Sequence, residues 1–196
     1  MTHFLPFAIL SASLTNIPIS PEELQSPEFF LAPTPHFNDR PIDAVVDTIV
    51  LHHTAGDNLE GVVKWFQNPD SKVSAHFTVG KDAKIAMHVN TFYRAWHAGV
   101  SKDKFGRGNV NDFSVGIEIV NVGDGKHPYP PAQVEAVRLL VSSLCHYRYK
   151  GQIRQITSHE YIAEPQGRKN DPINYPWESL EPLSKELGIP LVYGRK

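Results

Sequence analysis

A run of β-branched and apolar residues that ends in two histidines is the feature that most constrains the fold. Residues 49–51 (Ile-Val-Leu) show no polar alternation, which predicts a strand buried on both faces of a sheet. His52 and His53 follow at the strand exit, before a turn that contains Gly56. Buried imidazoles need partners, because an unpaired buried polar group costs free energy. The pair is therefore either hydrogen-bonded or includes a metal ligand.

Composition narrows the class of protein. The chain has 196 residues, which predicts one domain, and ten histidines, which favour a search for a metal site. Its net charge of −2 argues against nucleic-acid or anionic-membrane partners. No apolar run is long enough to form an integral membrane segment. Cys145, the one cysteine, rules out an internal disulfide and is predicted to pack in the core. We expect a monomer.

The chain divides into three segments. Residues 1–40 are predicted to form an N-terminal arm, or an export-signal remnant, followed by a proline-rich linker. The apolar run at 4–10 suits either interpretation, and no lysine or arginine precedes it. Ser-Pro at 20–21 is typical of a helix start. Residues 41–188 are predicted to form the domain, and 189–196 a C-terminal tail.

Periodicity within the domain predicts strands alternating with helices and one hairpin. Asp57 to Glu60 resembles a capping box before a short amphipathic helix, with Asp57 as a cap and Trp65 widening the helix's apolar side. The other predicted elements are a hairpin over 73–79 and 85–89, a strand over 114–121, a helix over 130–149, a strand over 153–157 and a helix over 177–187. This order predicts an α/β single domain with a central mixed β-sheet flanked by helices.

Glu118 is a carboxylate within an otherwise apolar strand. Residues 115, 117 and 119 point to one face of that strand, and Glu118 points to the other with Gly116 and Val120. Burial would raise the pKa of this carboxyl unless a cation lies nearby. Either Glu118 serves a site, or the strand lies at an edge and Glu118 faces water.

Other chemistry-bearing residues follow later strands. His159 comes just after the strand at 153–157, and Asp171 lies 12 residues further on. One of the two strand-end histidines, His159 and Asp171 would form a three-ligand zinc site with an open position, the pattern of catalytic zinc. Glu118 suits a general base that is not a ligand. Lys169 suits a group that stabilises an oxyanion. No HExxH helix is present.

Several sequence blocks, in this order, resemble the zinc-dependent N-acetylmuramoyl-L-alanine amidases, whose fold is shared with peptidoglycan recognition proteins. The resemblance spans roughly residues 43–182. The blocks are TIVLHHTAG (48–56), VSAHFTV (73–79), RAWHAG (94–99), SVGIEIVN (114–121), Ser158-His159 and GRKNDP (167–172). Each block alone is weak, and their shared order makes the resemblance specific.

The resemblance implies a role for each candidate residue. His52, His159 and Asp171 are the implied Zn²⁺ ligands, and an aspartate at the third place is typical of the bacterial branch. Glu118 matches the catalytic glutamate, and Lys169 the lysine beside the zinc. The implied reaction is hydrolysis of the amide between N-acetylmuramic acid and the L-alanine of the peptidoglycan stem peptide. The implied partner is peptidoglycan or a muropeptide.

Three further side chains have open roles. Trp96 and His97 either line the substrate groove or pack beneath the site. Arg107, on a polar loop, either binds a stem-peptide carboxylate or is solvated. His76 is predicted to be structural, hydrogen-bonded inside the sheet.

The rival function is a non-catalytic peptidoglycan-binding module of the same fold. Members that lose hydrolysis lose a zinc ligand, and this chain retains three. We expect a periplasmic, cell-envelope or secreted location, with cytoplasmic muropeptide recycling and phage lysis as alternatives.

Overall fold

The computed structural model describes residues 27–194, so the predicted apolar run at 4–10 and the helix start at 20–21 lie outside the described residues. The strands are β1 (Phe29–Leu31), β2 (Phe37–Asn38), β3 (Thr48–His53), β4 (Phe77–Val79), β5 (Ile85–Met87), β6 (Arg94–Ala95), β7 (Ser114–Ile119), β8 (Gln155–Ser158) and β9 (Leu191–Val192). The α-helices are α1 (Leu59–Gln67), α2 (Pro131–Ser143), α3 (His159–Ile162) and α4 (Glu181–Leu187). Short 3₁₀ helices span Val110–Phe113 and Trp177–Leu180.

A seven-stranded mixed sheet organises the described residues. Its strand order is β1-β5-β4-β7-β3-β8-β9, and β2 pairs separately with β6. The central β3 is parallel to both β7 and β8, whereas β4 and β5 form an antiparallel hairpin. The predicted mixed sheet with flanking helices is confirmed. Because parallel strands end at one edge, the carboxyl ends of β3 and β8 meet there.

The two faces of β3 and β7 carry different side chains. Ile49, Leu51 and Ile117 share one core cluster with Val137 and Val141 of α2. Side chains alternate along a strand, so His52 and Glu118 lie on the opposite face. The parallel pairing of β3 with β7 sets His52 directly beside Glu118. This register brings two candidate site residues together.

Element boundaries differ from the predictions where tertiary contacts override local pattern. The helix predicted over 130–149 is α2 followed by one π-helical turn at Leu144–Arg148, and Cys145 there is buried as predicted. The α1 cap is Asn58, whose side chain accepts a hydrogen bond from Gly61, while the predicted cap Asp57 pairs with Lys81.

The sheet also extends past the predicted domain limits. β1 lies in the segment assigned to the arm, and β9 in the segment assigned to the tail. Both strands are too short to show periodicity in the sequence. Among residues 27–194, no helix is long and apolar enough to cross a membrane.

Candidate active site

Three buried side chains meet at the carboxyl edge of the sheet. His52 lies at the end of β3, and His159 opens α3 directly after β8, where Ser158 caps the helix. Asp171 lies in a loop. The backbone carbonyl of Asp171 accepts a hydrogen bond of 2.8 Å from the Glu160 N–H, and this bond fixes the position of the loop. Each of the three side chains is at most 8% exposed.

The ligand atoms of these three residues converge on one point. Asp171 Oδ2 lies 3.3 Å from His52 Nδ1 and 2.9 Å from His159 Nδ1, and the three atoms all lie within 4.8 Å of one another. Burial, together with the charge of His159, lowers the pKa of His52 to about 4, so this imidazole is neutral at pH 7. A neutral imidazole is the form that binds a metal ion.

The hydrogen bonds of His159 test whether a metal ion fits this site. Its Nε2 lies 3.1 Å from the Ala98 carbonyl oxygen, so Nε2 carries the proton and donates it. In a neutral ring Nδ1 then has no proton, and it lies 2.9 Å from the Asp171 carboxylate, which only accepts. Either a second ring proton or a metal cation must therefore lie between these two atoms, and a metal cation there would be held by both. Zinc bonds of about 2.0–2.1 Å in a tetrahedral site place ligand atoms roughly 3.3 Å apart, close to the separations here. The residues fit zinc.

His53 belongs to the other face of the sheet. Its Nδ1 accepts a hydrogen bond of 3.2 Å from the Ile173 N–H, just beyond the Asp171 turn. The ring packs so closely on Gly123 that a Cβ there would lie 2.3 Å from His53 Nε2. His53 therefore contacts the Asp171 loop and also lines the cavity described below, whereas His52 places a ring nitrogen 3.3 Å from Asp171 Oδ2.

Glu118 stands beside the three ligand residues without joining them. Its Oε2 is shielded from solvent and has no hydrogen-bond partner among residues 27–194. Burial raises the pKa of Glu118 to about 8, the charge of Asp171 adds to the rise, and Lys169 opposes it. A carboxyl with a pKa near neutrality both accepts and returns a proton, as a general acid–base requires.

A cavity of about 760 Å³ opens onto these residues. Trp65 and Trp96 line it, together with Lys169 and the carboxyl-bearing Glu118 and Asp171. The cavity is large enough for a sugar–peptide fragment, since ligand sites commonly measure about 300–1,000 Å³. Its lining, which also includes Asp57 and Arg168, therefore combines aromatic rings with two cations and three acids.

The structure places the other predicted substrate-binding residues in different surroundings. Trp96 is half-buried in the cavity wall, where its Nε1–H donates a hydrogen bond of 2.7 Å to Asn38 Oδ1. His97 also lines the cavity, although it is only 8% exposed, and its Nδ1 lies 3.0 Å from His52 Nε2. His76 is fully buried and accepts a hydrogen bond from the Gly116 N–H, the structural role predicted for it.

Arg107 is a correction to the sequence analysis. Its guanidinium forms two hydrogen bonds of 2.8 and 2.9 Å with Asp47 and one of 2.8 Å with Asp103. It lines a different cavity from that of the candidate site. Free solvation is wrong for Arg107, because two buried carboxylates hold its charge in place, and its substrate-binding role stays a prediction.

Among the residues of the cavity wall that the sequence did not predict are Trp65 and Arg168. Trp65 is 53% exposed and lines the cavity, although the helical pattern assigned it to the buried side of α1. The sequence indicates the exposure of Trp65 only through its position, one residue before the buried Phe66 and at the margin of the apolar stripe. Arg168 donates hydrogen bonds to the Ala98 and Val100 carbonyls and joins two loops at the rim, a contact between segments with no local pattern.

The fold and site define a class of protein. Three residues that could hold a metal ion lie in an open cavity, next to an acid that does not join them. This arrangement is typical of metal-assisted hydrolases.

The chain belongs to the N-acetylmuramoyl-L-alanine amidase family, whose profile matches residues 41–174. It is similar to the 1,6-anhydro-N-acetylmuramyl-L-alanine amidase AmpD of Citrobacter freundii, with 32% identity over 71% of this chain and 81% of the relative. It is also similar to the amidase AmiD of Escherichia coli K12, with 33% identity over 69% of this chain and 52% of that protein.

Solved structures of amidases share the fold of this chain. The crystal structure of a selenomethionine AmpD derivative superposes with a TM-score of 0.68 at 29% identity, covering 82% of this chain and 95% of that one. AmiD from E. coli, in complex with anhydro-N-acetylmuramic acid-L-Ala-D-γ-Glu-L-Lys, superposes with a TM-score of 0.57 at 29% identity, covering 76% and 61%. The predicted family and fold are confirmed, and the chain is an amidase for the bond between N-acetylmuramic acid and L-alanine.

Proposed function

We propose that this amidase is zinc-dependent, with His52, His159 and Asp171 as the zinc ligands. The observation that carries the proposal is the meeting of two imidazoles and a carboxylate in a buried place, where Asp171 Oδ2 lies 3.3 Å from His52 Nδ1 and 2.9 Å from His159 Nδ1. The open side of this group faces the cavity, as a catalytic rather than a structural site requires.

When bound, zinc supplies Lewis-acid polarisation of the amide carbonyl and lowers the pKa of water. Glu118, as a carboxylate, accepts a proton from the attacking water and then transfers it to the leaving amide nitrogen. The C–N bond breaks, and the products are a lactyl carboxylate and a free L-alanine amine. Lys169, in the cavity wall, stabilises the oxygen that gains negative charge.

The proposed substrate is a muropeptide with a 1,6-anhydro sugar. AmpD is named for such a substrate, and the AmiD complex holds an anhydro-muramyl peptide. In this chain, Trp65 and Trp96 offer ring faces for the sugar or the peptide. A purely recognising module would not need a buried acid beside a complete ligand set. The envelope location stays a prediction, which cell fractionation tests.

The two adjacent histidines provide a matched test of the zinc site. Metal analysis of the purified chain is expected to find one zinc ion per wild-type molecule, lost in His52→Gln and retained in His53→Gln. Chelation should abolish hydrolysis of an anhydro-muropeptide, and added zinc should restore it. Equal zinc content in both variants, or full activity after chelation, would refute the proposal.

A further inference from the structure

A chain of hydrogen bonds runs from His52 through His97 to Ser114. His52 Nε2 lies 3.0 Å from His97 Nδ1, and His97 Nε2 lies 3.1 Å from Ser114 Oγ. Ser114 Oγ in turn lies 2.6 Å from the Val110 carbonyl oxygen. All the side chains in this chain are buried. Water therefore does not supply the partners of these nitrogens, and each proton position depends on the next group.

The carbonyl at the end of the chain determines its direction. A carbonyl oxygen only accepts, so the single hydroxyl proton of Ser114 points to Val110. Ser114 Oγ then accepts from His97 Nε2–H, which leaves His97 Nδ1 as an acceptor. His52 Nε2 must therefore be the donor to His97. His52 Nδ1 is consequently without a proton and faces Asp171 as a free lone pair.

Two contacts hold His97 in the position that this chain requires. Asn111 Oδ1 accepts hydrogen bonds from the backbone N–H groups of His97 and Ala98, at 3.1 and 2.8 Å. The His97 ring lies directly on Gly116 of β7, where a Cβ would be 2.4 Å from His97 Cγ. No side chain larger than hydrogen fits at that position while the ring stays in place. The glycine of the SVGIEIVN block thus makes room for the histidine of the RAWHAG block.

We infer that His97 is a positioning residue that fixes the tautomer of His52, leaving Nδ1 free to bind the metal ion. The neighbouring Ala98 carbonyl does the same for His159, whose Nε2–H it accepts. One segment, 97–98, therefore orients both imidazoles of the ligand set. The inference rests on the proposed zinc site, and it gives His97, which also lines the cavity, a role in orienting His52.

Two isosteric substitutions separate this role from simple packing. In His97→Asn an amide oxygen takes the place of Nδ1, whereas His97→Leu has the same branched shape without an acceptor. Zinc affinity, measured by chelator competition without substrate, is expected to fall about 10–100-fold in His97→Leu and to stay within about threefold of wild type in His97→Asn. Gly116→Ala, which displaces the ring, should lose affinity as His97→Leu does. His88→Leu, which removes another buried histidine of the sheet, should not.

The tautomer is read directly by long-range ¹H–¹⁵N NMR of the zinc-free chain. Wild type and His97→Asn should show His52 protonated at Nε2, and His97→Leu should show a gain of the Nδ1–H form. A wild-type His52 protonated at Nδ1, or equal affinity losses in the Asn and Leu variants, would overturn the inference. Absence of zinc binding by wild type would instead refute the zinc site, and the NMR pattern would still decide the role of His97.

Discussion

Replacing Glu118 by glutamine should remove most of the hydrolysis while leaving the fold and the metal site intact. The substitution keeps the size of the side chain and removes its proton-accepting charge. Loss of general acid–base catalysis lowers kcat by about 10²–10⁴-fold, which corresponds to roughly 3–5.5 kcal/mol of barrier. Glu118 Oε2 has no partner among residues 27–194, so the change breaks no hydrogen bond there. The free energy of unfolding should therefore not fall.

The assay is steady-state cleavage of an anhydro-muropeptide by zinc-loaded chain, with urea unfolding and zinc content measured on the same samples. Glu160→Gln is the matched control, because it makes the same chemical change beside the ligand His159 but outside the cavity lining. The control should retain wild-type kcat. If Glu118→Gln kept kcat within about threefold of wild type while holding zinc, Glu118 would not be the proton carrier.

Substitutions at three further positions test other roles assigned above. In the same assay, Lys169→Met should lower kcat about 10²-fold and Lys169→Arg much less, because a cation is needed near the developing negative charge. Equal losses of kcat in the two variants would contradict this role. Arg107→Gln should lower the free energy of unfolding, measured in urea, by about 2 kcal/mol, because Asp47 and Asp103 lose a partially exposed partner. Its kcat/KM should not change. A rise in KM without loss of stability would instead show that Arg107 binds substrate. Burial lowers the pKa of His88 from 6.5 to about 4, so its contribution to stability is retained above pH 6.5 and lost as the pH falls to 4. Between pH 6.5 and pH 4, the free energy of unfolding of metal-free wild type should fall relative to that of His88→Gln by up to about 3 kcal/mol. A difference that stays constant with pH would contradict the lowered pKa of His88.

The central sheet and the cluster of His52, His159 and Asp171 were accessible from the sequence because their patterns are strong. An apolar run that ends in histidines, an acid inside an apolar strand and a histidine after a later strand all lie at strand ends or faces, where period-2 alternation is informative. The choice of His52 over His53 needed either the family resemblance or the sheet. Only the pairing of β3 with β7 shows that Glu118 lies beside His52.

The remaining features depend on contacts between distant segments. Arg107 pairs with Asp47, which lies 60 positions earlier, and no local pattern in the polar loop predicts this. The exposure of Trp65 depends on where α1 lies against the cavity, which helical periodicity alone does not determine. The strands at 29–31 and 191–192 exist because the sheet edges accept them, since two or three residues have no detectable period.

The most direct measurement of the central claim is the identity of the product. The zinc-loaded chain is incubated with a soluble 1,6-anhydro-muropeptide and with purified peptidoglycan, with and without chelator, and the products are analysed by mass spectrometry. We predict chelator-sensitive release of stem peptides that carry a free L-alanine amino terminus, together with the intact muramyl sugar. Cleavage at another bond, or binding of both substrates with no release, would contradict the account.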